Sequence, residues 1–261
     1  MKLSMVILPA IFFILLSILY TQQEALIFRP YPLAANYTYS FPFTFDELKW
    51  EVEDGVVLNA LHFKAKDSKG VVLYFHGNGG NLAGWGEIAE DFLSRKQDLI
   101  IFDYRGYGKS TGKIQSEEDL LGDALYAYEY AKSQYAESQI TLYGRSLGSG
   151  LAVYLAKGNK PKRLILETPY NNFKDVANYH YPYLPTFLMK YKLDSENLIE
   201  YVRCPIYIFH GTEDVVIPLE FAQKLDARIK KDHKFFIISN AGHNDVSETK
   251  EYFSEITKIF W

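Results

Sequence analysis

The chain has 261 residues, 48% apolar and 16% aromatic, with 28 Lys and Arg against 32 Asp and Glu for a net charge of −4. At roughly 100–200 residues per domain this allows one large domain or two small ones, and the aromatic content excludes a disordered chain. The mildly acidic balance argues against a nucleic-acid partner, and the lone Cys204 excludes an intrachain disulfide or a multi-cysteine metal site.

The first element is apolar. Residues 3–20 read LSMVILPAIFFILLSILY, and no charge falls between positions 3 and 23. As a helix this run reaches about 27 Å, close to the ~30 Å hydrocarbon core of a bilayer. It exceeds the usual apolar core of a signal peptide, and Tyr20-Thr21-Gln22-Gln23 offers no small-residue cleavage site. Residues 1–23 are therefore expected to form an uncleaved membrane anchor, ahead of a signal peptide or a buried helix. Lys2 on the short side points to a domain on the non-cytoplasmic face. Residues 24–44, with three prolines between positions 30 and 42, read as a linker to a domain over 45–261.

Residues 48–53 and 56–64 flank Asp54-Gly55, a turn dipeptide between apolar runs, and predict a β-hairpin. The pattern then changes. Short runs at 71–75, 99–102, 140–143, 164–166, 206–209 and 235–238 are apolar without alternation, as strands buried on both faces of a parallel sheet require. Helix-length segments lie between them at 82–95, 117–135, 147–157, 219–230 and 246–260. This alternation predicts an α/β fold with antiparallel strands at one edge. About 40 residues separate the runs at 166 and 206, too many for a simple loop.

Gly144-Arg145-Ser146-Leu147-Gly148 follows one strand and opens a helix, the setting in which G-x-S-x-G presents an exposed, strained serine. A serine needs a base. Among six histidines, His243 stands after the last apolar run and before the last helix, at the sheet edge where open α/β folds bind ligands. His62, His180 and His233 fall in less suitable places, and His76 and His210 end strands before glycines. The orienting acid belongs between serine and histidine in the chain. Asp214 suits that order, with Glu167 and Glu213 as rivals, while Asp245 starts the last helix. An oxyanion needs two N–H donors. Leu147 supplies one, and Asn78 in His76-Gly77-Asn78-Gly79-Gly80-Asn81 the other, with Gly79 as second choice. No Lys-Ser or Lys-Thr pair follows these glycines, which disfavours a phosphate loop.

HGNGGN (76–81), DYRGYGKSTG (103–112), GRSLGSG (144–150), HGTEDVVIP (210–218) and AGHND (241–245) occur in that order. Together they resemble the α/β-hydrolase superfamily, in particular its serine-aminopeptidase-like and acyl-protein-thioesterase-like membrane-anchored branch. The resemblance runs from about residue 45 to the end. It implies a mostly parallel sheet with an antiparallel N-terminal hairpin, helices on both faces, and a small helical lid at 169–203. It also implies Ser146, Asp214 and His243 as the catalytic triad, and Arg105 and Tyr107 near the mouth of the site. The vertebrate depalmitoylating members carry an N-terminal cysteine cluster that is missing here, so that activity does not transfer.

The expected reaction is hydrolysis of an ester or thioester through an acyl-enzyme on Ser146, without cofactor or metal. The expected substrate is a small-molecule or lipid-like acyl compound, with Trp85 and Tyr170 as substrate-binding candidates. An aminopeptidase-type or amide hydrolase of the same fold, and a non-catalytic scaffold of hydrolase ancestry, are the alternatives. The lid aromatics, Tyr170, Phe173, Tyr179, Tyr181, Tyr183, Phe187 and Tyr191, either line a pocket or pack the lid.

Overall fold

The computed structural model describes residues 11, 14, 16–182 and 185–261. Eight strands form the central sheet: β1 (Phe45–Glu53), β2 (Val56–Phe63), β3 (Val71–Phe75), β4 (Asp98–Phe102), β5 (Ile140–Arg145), β6 (Arg163–Glu167), β7 (Ile206–Gly211) and β8 (Lys234–Ile238). Their spatial order is β8-β7-β6-β5-β3-β4-β2-β1. Strand β2 pairs antiparallel with β1 and β4, and every other pairing is parallel. This is the α/β fold with an antiparallel edge that the alternation predicts, and the α/β-hydrolase fold that the motif resemblance implies, with most strands extended by one or two residues.

Strand β3 shows why the runs are continuously apolar. Its alternate residues feed two cores. Val71, Leu73 and Phe75 pack on one face, against Ala124, Ala127 and Leu151. Val72 and Tyr74 pack on the other, against Phe92, Tyr252 and Ile256. Successive side chains point to opposite faces, so a strand covered on both sides must be apolar throughout.

Helices α4 (Glu117–Gln134) and α5 (Leu147–Gly158) cover the first face. Ser116 caps α4: its hydroxyl accepts from Asp119 N–H, and the Asp119 carboxylate accepts from Ser116 N–H. The second face carries α8 (Lys250–Phe260) and a helical stretch made of α2 (Leu82–Trp85), a 3₁₀ turn (Gly86–Ile88) and α3 (Ala89–Leu93). Two predicted helices are shorter or broken. The 246–260 segment opens with a 3₁₀ turn, Val246–Glu248, before α8, which Thr249 caps. The 219–230 segment ends as α7 at Asp226.

The predicted lid contains α6 (Phe173–His180) and 3₁₀ turns at Thr186–Leu188, Ser195–Asn197 and Ile199–Tyr201. Asn172 caps α6 by accepting from Asp175 N–H at 2.8 Å. Of its aromatics, Tyr170 and Tyr191 are fully buried, Tyr179, Tyr181 and Phe187 are exposed, and Tyr183 lies outside the described residues.

The N-terminal expectation is corrected. Most of the run at 3–20 lies outside the described residues, and among the described residues no helix is long and apolar enough to cross a membrane. Residues 16–21 and α1 (Gln23–Ile27) are helical, and their C-terminal end docks on the domain over 45–261. Buried Gln23 donates from Nε2 to Leu188 O at 2.8 Å and accepts at Oε1 from Lys190 N–H at 2.9 Å. Glu24 pairs with Lys190 Nζ at 2.9 Å and accepts from Tyr191 Oη at 3.0 Å. The membrane anchor, the membrane as partner and the non-cytoplasmic placement drawn from it do not stand. The stretch at 24–44 is likewise no free tether. Phe28 and Tyr39 are buried, and Arg29–Pro30 pairs in parallel with Gly79–Gly80. Apolar composition reports burial but not what does the burying.

Candidate active site

Ser146 stands at the sharp turn between β5 and α5 with φ 51° and ψ −119°, a left-handed conformation unusual for a residue with a side chain. Ser146 N–H donates to Glu167 O on β6 at 2.9 Å, which pins the turn to the sheet. Close packing explains the flanking glycines. A Cβ on Gly144 would stand 2.6 Å from Gly148 O, and one on Gly148 would stand 2.1 Å from Phe75 O. Both obstacles are backbone and cannot rotate away. Gly148→Ala is expected to cost about 3 kcal/mol. At about 2–4 °C per kcal/mol for a chain near this size, Tm should fall by roughly 6–12 °C. A thermal melt followed by circular dichroism checks this, and an unchanged Tm would refute the packing argument.

His243 lies on the loop after β8. Its Nε2 is 2.9 Å from Ser146 Oγ, and its Nδ1 is 2.7 Å from Asp214 Oδ2. Nδ1–H therefore donates to the carboxylate and Nε2 accepts from the serine hydroxyl, the tautomer a general base needs. Asp214 sits on the loop after β7 with its side chain fully buried. Burial by itself would raise its carboxyl. The His210 imidazole 3.3 Å away, the hydrogen bond from His243 with its charge, and the Ile217 N–H together hold it well below the usual carboxylate range. Its Oδ1 accepts from Val216 N–H at 2.9 Å and Ile217 N–H at 2.7 Å, leaving Oδ2 for the imidazole. The structure thus brings Ser146, His243 and Asp214 into one hydrogen-bonded chain.

The rival acids are placed elsewhere. Glu167 is buried and accepts from Tyr143 Oη at 2.7 Å, while its Oε1 stands 3.5 Å from Arg145 Nε. Glu213 is exposed. Asp245 accepts from Gly242 N–H at 2.5 Å and shapes the histidine loop rather than capping α8. The other histidines are structural in their contacts. Nε2 of His210 donates to Ile217 O at 2.7 Å, and Nε2 of His62 is 2.8 Å from Tyr135 Oη. His233 is 2.6 Å from Asp226. Nδ1 of His76 donates to Gly77 O at 2.7 Å, and burial lowers its imidazole to about 4.

The Gly77–Asn78 backbone borders the serine, since a Cβ on Gly77 would stand 3.6 Å from Ser146 Cβ. Asn78 lies beside the cavity. It is anchored through Oδ1, which accepts from Tyr107 Oη at 3.0 Å, and through Nδ2, which donates to Ile27 O. Leu147 opens α5, so its N–H is among the helix-end donors that lack an intrahelical acceptor. The positive end of that twelve-residue helix faces the same region. Trp85 lines the cavity and also braces the loop, donating from Nε1 to Gly79 O at 2.7 Å. Tyr170 lines it too, and its hydroxyl donates to Leu147 O at 3.1 Å beneath the elbow. Tyr107 is fully buried under the Asn78 loop. Arg105 is turned away from the mouth to Asp123, Glu53 and Asp119. Asp103, whose carboxyl burial pushes up to about 8, accepts from Leu82 N–H behind the loop.

Two contacts at the site are not legible in the sequence. Arg145 lies with its guanidinium over Trp85, 5.3 Å from the ring centre, and donates to Asn244 O at 3.1 Å. It thereby joins the elbow to the histidine loop. His180 reaches the cavity rim, where its Nε2 donates to Val216 O at 2.8 Å. No local pattern signals either contact. Above Ser146 the cavity measures about 890 Å³. Its lining includes Phe173, Val176 and Met189 of the lid and Leu19, Leu26 and Ile27 of the N-terminal helices.

An eight-stranded sheet in this order, with a serine elbow after β5 and an acid and a histidine on the loops after β7 and β8, defines an α/β hydrolase. A family model described as serine aminopeptidase, S33, matches residues 66–190. An uncharacterized protein of Mycobacterium tuberculosis is 32% identical over 202 residues, which are 75% of this chain and 71% of that one. Lysophosphatidylserine lipase ABHD12 of Danio rerio is 32% identical over 181 residues, 61% of this chain and 47% of the lipase. The chain thus spans about half the length of that lipase. Among solved structures, an esterase of Pyrococcus furiosus superposes with a TM-score of 0.71 at 20% identity, covering 89% of this chain and 96% of that one. The chain belongs to the α/β-hydrolase superfamily.

Proposed function

We propose that the chain hydrolyses carboxylic esters or thioesters of lipid-like acyl groups through an acyl-enzyme on Ser146. The Ser146–His243–Asp214 chain, of which Ser146 and His243 line a mainly apolar cavity, carries this reading. Ser146 Oγ attacks the acyl carbonyl carbon while His243 Nε2 takes its proton. Leu147 N–H and Asn78 N–H stabilise the developing oxyanion. Asp214 holds the imidazole tautomer and stabilises the imidazolium. The leaving alcohol or thiol departs with that proton. A water then gives a proton to His243, attacks the acyl-enzyme and releases the acid, restoring Ser146.

The lysophosphatidylserine lipase among the relatives supports a lipid-like acyl substrate. The description of the family model favours a second reading, an aminopeptidase. That activity calls for a carboxylate to hold a free amine. Among the described residues lining the cavity none is Asp or Glu, and Glu167 is committed to Arg145 and Tyr143.

A panel of p-nitrophenyl esters and acyl thioesters, run beside aminoacyl-p-nitroanilides, separates the readings. Turnover of the esters or thioesters is expected. Cleavage of anilides alone would replace the proposal with the peptidase. No turnover and no labelling by a fluorophosphonate would leave a non-catalytic scaffold.

A further inference from the structure

The cavity above Ser146 has a wall that the hydrolase fold does not require. Leu19, Leu26 and Ile27 come from the N-terminal helices, and they line it together with Phe173, Val176 and Met189 of the lid. The N-terminal helices and the lid are tied together by polar contacts. Gln23 bonds the Leu188 carbonyl and the Lys190 N–H with its two amide ends, and Glu24 bonds Lys190 Nζ and Tyr191 Oη. Gln23 is only 7% exposed. A buried primary amide satisfied at both ends by one partner segment is costly to pull out, because separation leaves its groups to be paired again. The same helix is tied to the oxyanion loop at its other end. Ile27 O accepts from Asn78 Nδ2, and Arg29 N–H donates to Tyr107 Oη at 3.0 Å.

We propose that the N-terminal helices are the specificity wall of the acyl pocket, so that the substrate's acyl chain lies between them and the lid and is measured along them. This rests on the reading of Ser146 as the nucleophile. Ile27 marks the end nearest the oxyanion loop, since its carbonyl bonds Asn78. Leu19 lies eight residues earlier in the chain. At a helical rise of ~1.5 Å per residue that is about 12 Å along the wall. These six side chains are apolar, so the occupant is a hydrocarbon chain. Each added methylene that reaches the wall should raise kcat/KM by about fourfold, until the chain outruns the cavity.

The order along the wall makes the proposal specific. Bulk placed at Ile27 should stop short chains and long ones alike, beyond the first few carbons. Bulk placed at Leu19 should stop only the longer chains. The test measures kcat/KM of full-length wild type, Leu19→Trp and Ile27→Trp on p-nitrophenyl butyrate, octanoate and dodecanoate. In Leu19→Trp the dodecanoate-to-octanoate ratio is expected to fall by about tenfold or more, with the octanoate-to-butyrate ratio kept, which corresponds to losing two or more buried methylenes. In Ile27→Trp the octanoate-to-butyrate ratio falls as well. Gln23→Ala, which cuts the clamp without adding bulk, should lower the dodecanoate-to-butyrate ratio and serves where a tryptophan variant no longer labels with fluorophosphonate. If wild type hydrolyses none of the esters, the reading of Ser146 as an ester-cleaving nucleophile fails. If wild type hydrolyses them and the ratios stay within twofold in the folded variants, the wall proposal is overturned while the Ser146 reading stands.

Discussion

Ser146→Ala is expected to lower kcat for ester hydrolysis by about 10⁶-fold and to abolish labelling by a fluorophosphonate. The substitution removes the atom that His243 Nε2 approaches at 2.9 Å and leaves the rest of the site intact. The residual rate should still exceed water by about 10³–10⁴-fold, because the oxyanion donors and the cavity still bind the substrate. Alanine keeps a Cβ at φ 51°, so it neither relieves nor adds backbone strain, and Tm should stay near that of wild type. Stopped activity with an unchanged melt assigns the loss to chemistry. Undiminished labelling of the variant would show that another residue is the nucleophile.

The second large effect is expected at the acid. Asp214→Asn should lower kcat by about 10⁴-fold with little change in KM. The amide presents an N–H where the imidazole expects an acceptor, or turns its oxygen to His243 and its N–H₂ toward Val216 and Ile217 N–H. Either arrangement breaks contacts, because Asp214 now accepts at both oxygens, from those two amides and from His243. The favoured imidazole tautomer then loses its charged partner, and the imidazolium that forms during attack is no longer stabilised. Steady-state kinetics on one ester checks this. A loss smaller than about tenfold would move the orienting role elsewhere, and Glu167→Gln in parallel identifies whether the acid on β6 carries it. Glu167 faces Arg145 and Tyr143 rather than His243, so its amide should not reproduce the Asp214 defect.

Much of the fold was legible because a doubly covered sheet leaves a strong mark. Val71–Phe75 has no polar position, since each side chain meets a helix layer on one face or the other. The elbow was legible for a steric reason, as Gly144 and Gly148 stand where the Phe75 carbonyl and the first turn of α5 leave no room for a Cβ. Helix ends were less legible. Gly86 falls inside a predicted helix, and the stretch changes there to a 3₁₀ turn, with the Phe41 ring 2.3 Å from where a Cβ would stand. Phe41 belongs to the stretch read as a linker, so nothing local signals the contact.

The N-terminal segment is the sharpest difference. An apolar periodic run carries the same signature whether it faces lipid, a core or a ligand cavity. Gln23 and Glu24 look like ordinary polar residues at the end of such a run. Only their partners, Leu188, Lys190 and Tyr191, more than 160 positions away, turn them into a clamp on the lid. Arg145 is a parallel case, since its position before the serine says nothing of Trp85, Glu167 or Asn244.

By itself the sequence determined the strand order along the chain, the strained serine turn, and which acid and histidine were candidates, because those follow from local sterics and from periodicity of burial. The tertiary structure decided that Ser146, His243 and Asp214 lie within hydrogen-bonding distance, that Glu167 is turned to Arg145, and that the N-terminal helices wall a cavity. Those outcomes depend on contacts between segments distant in the chain, and a hydrogen bond or a buried face is specified by its partner as much as by the residue that carries it.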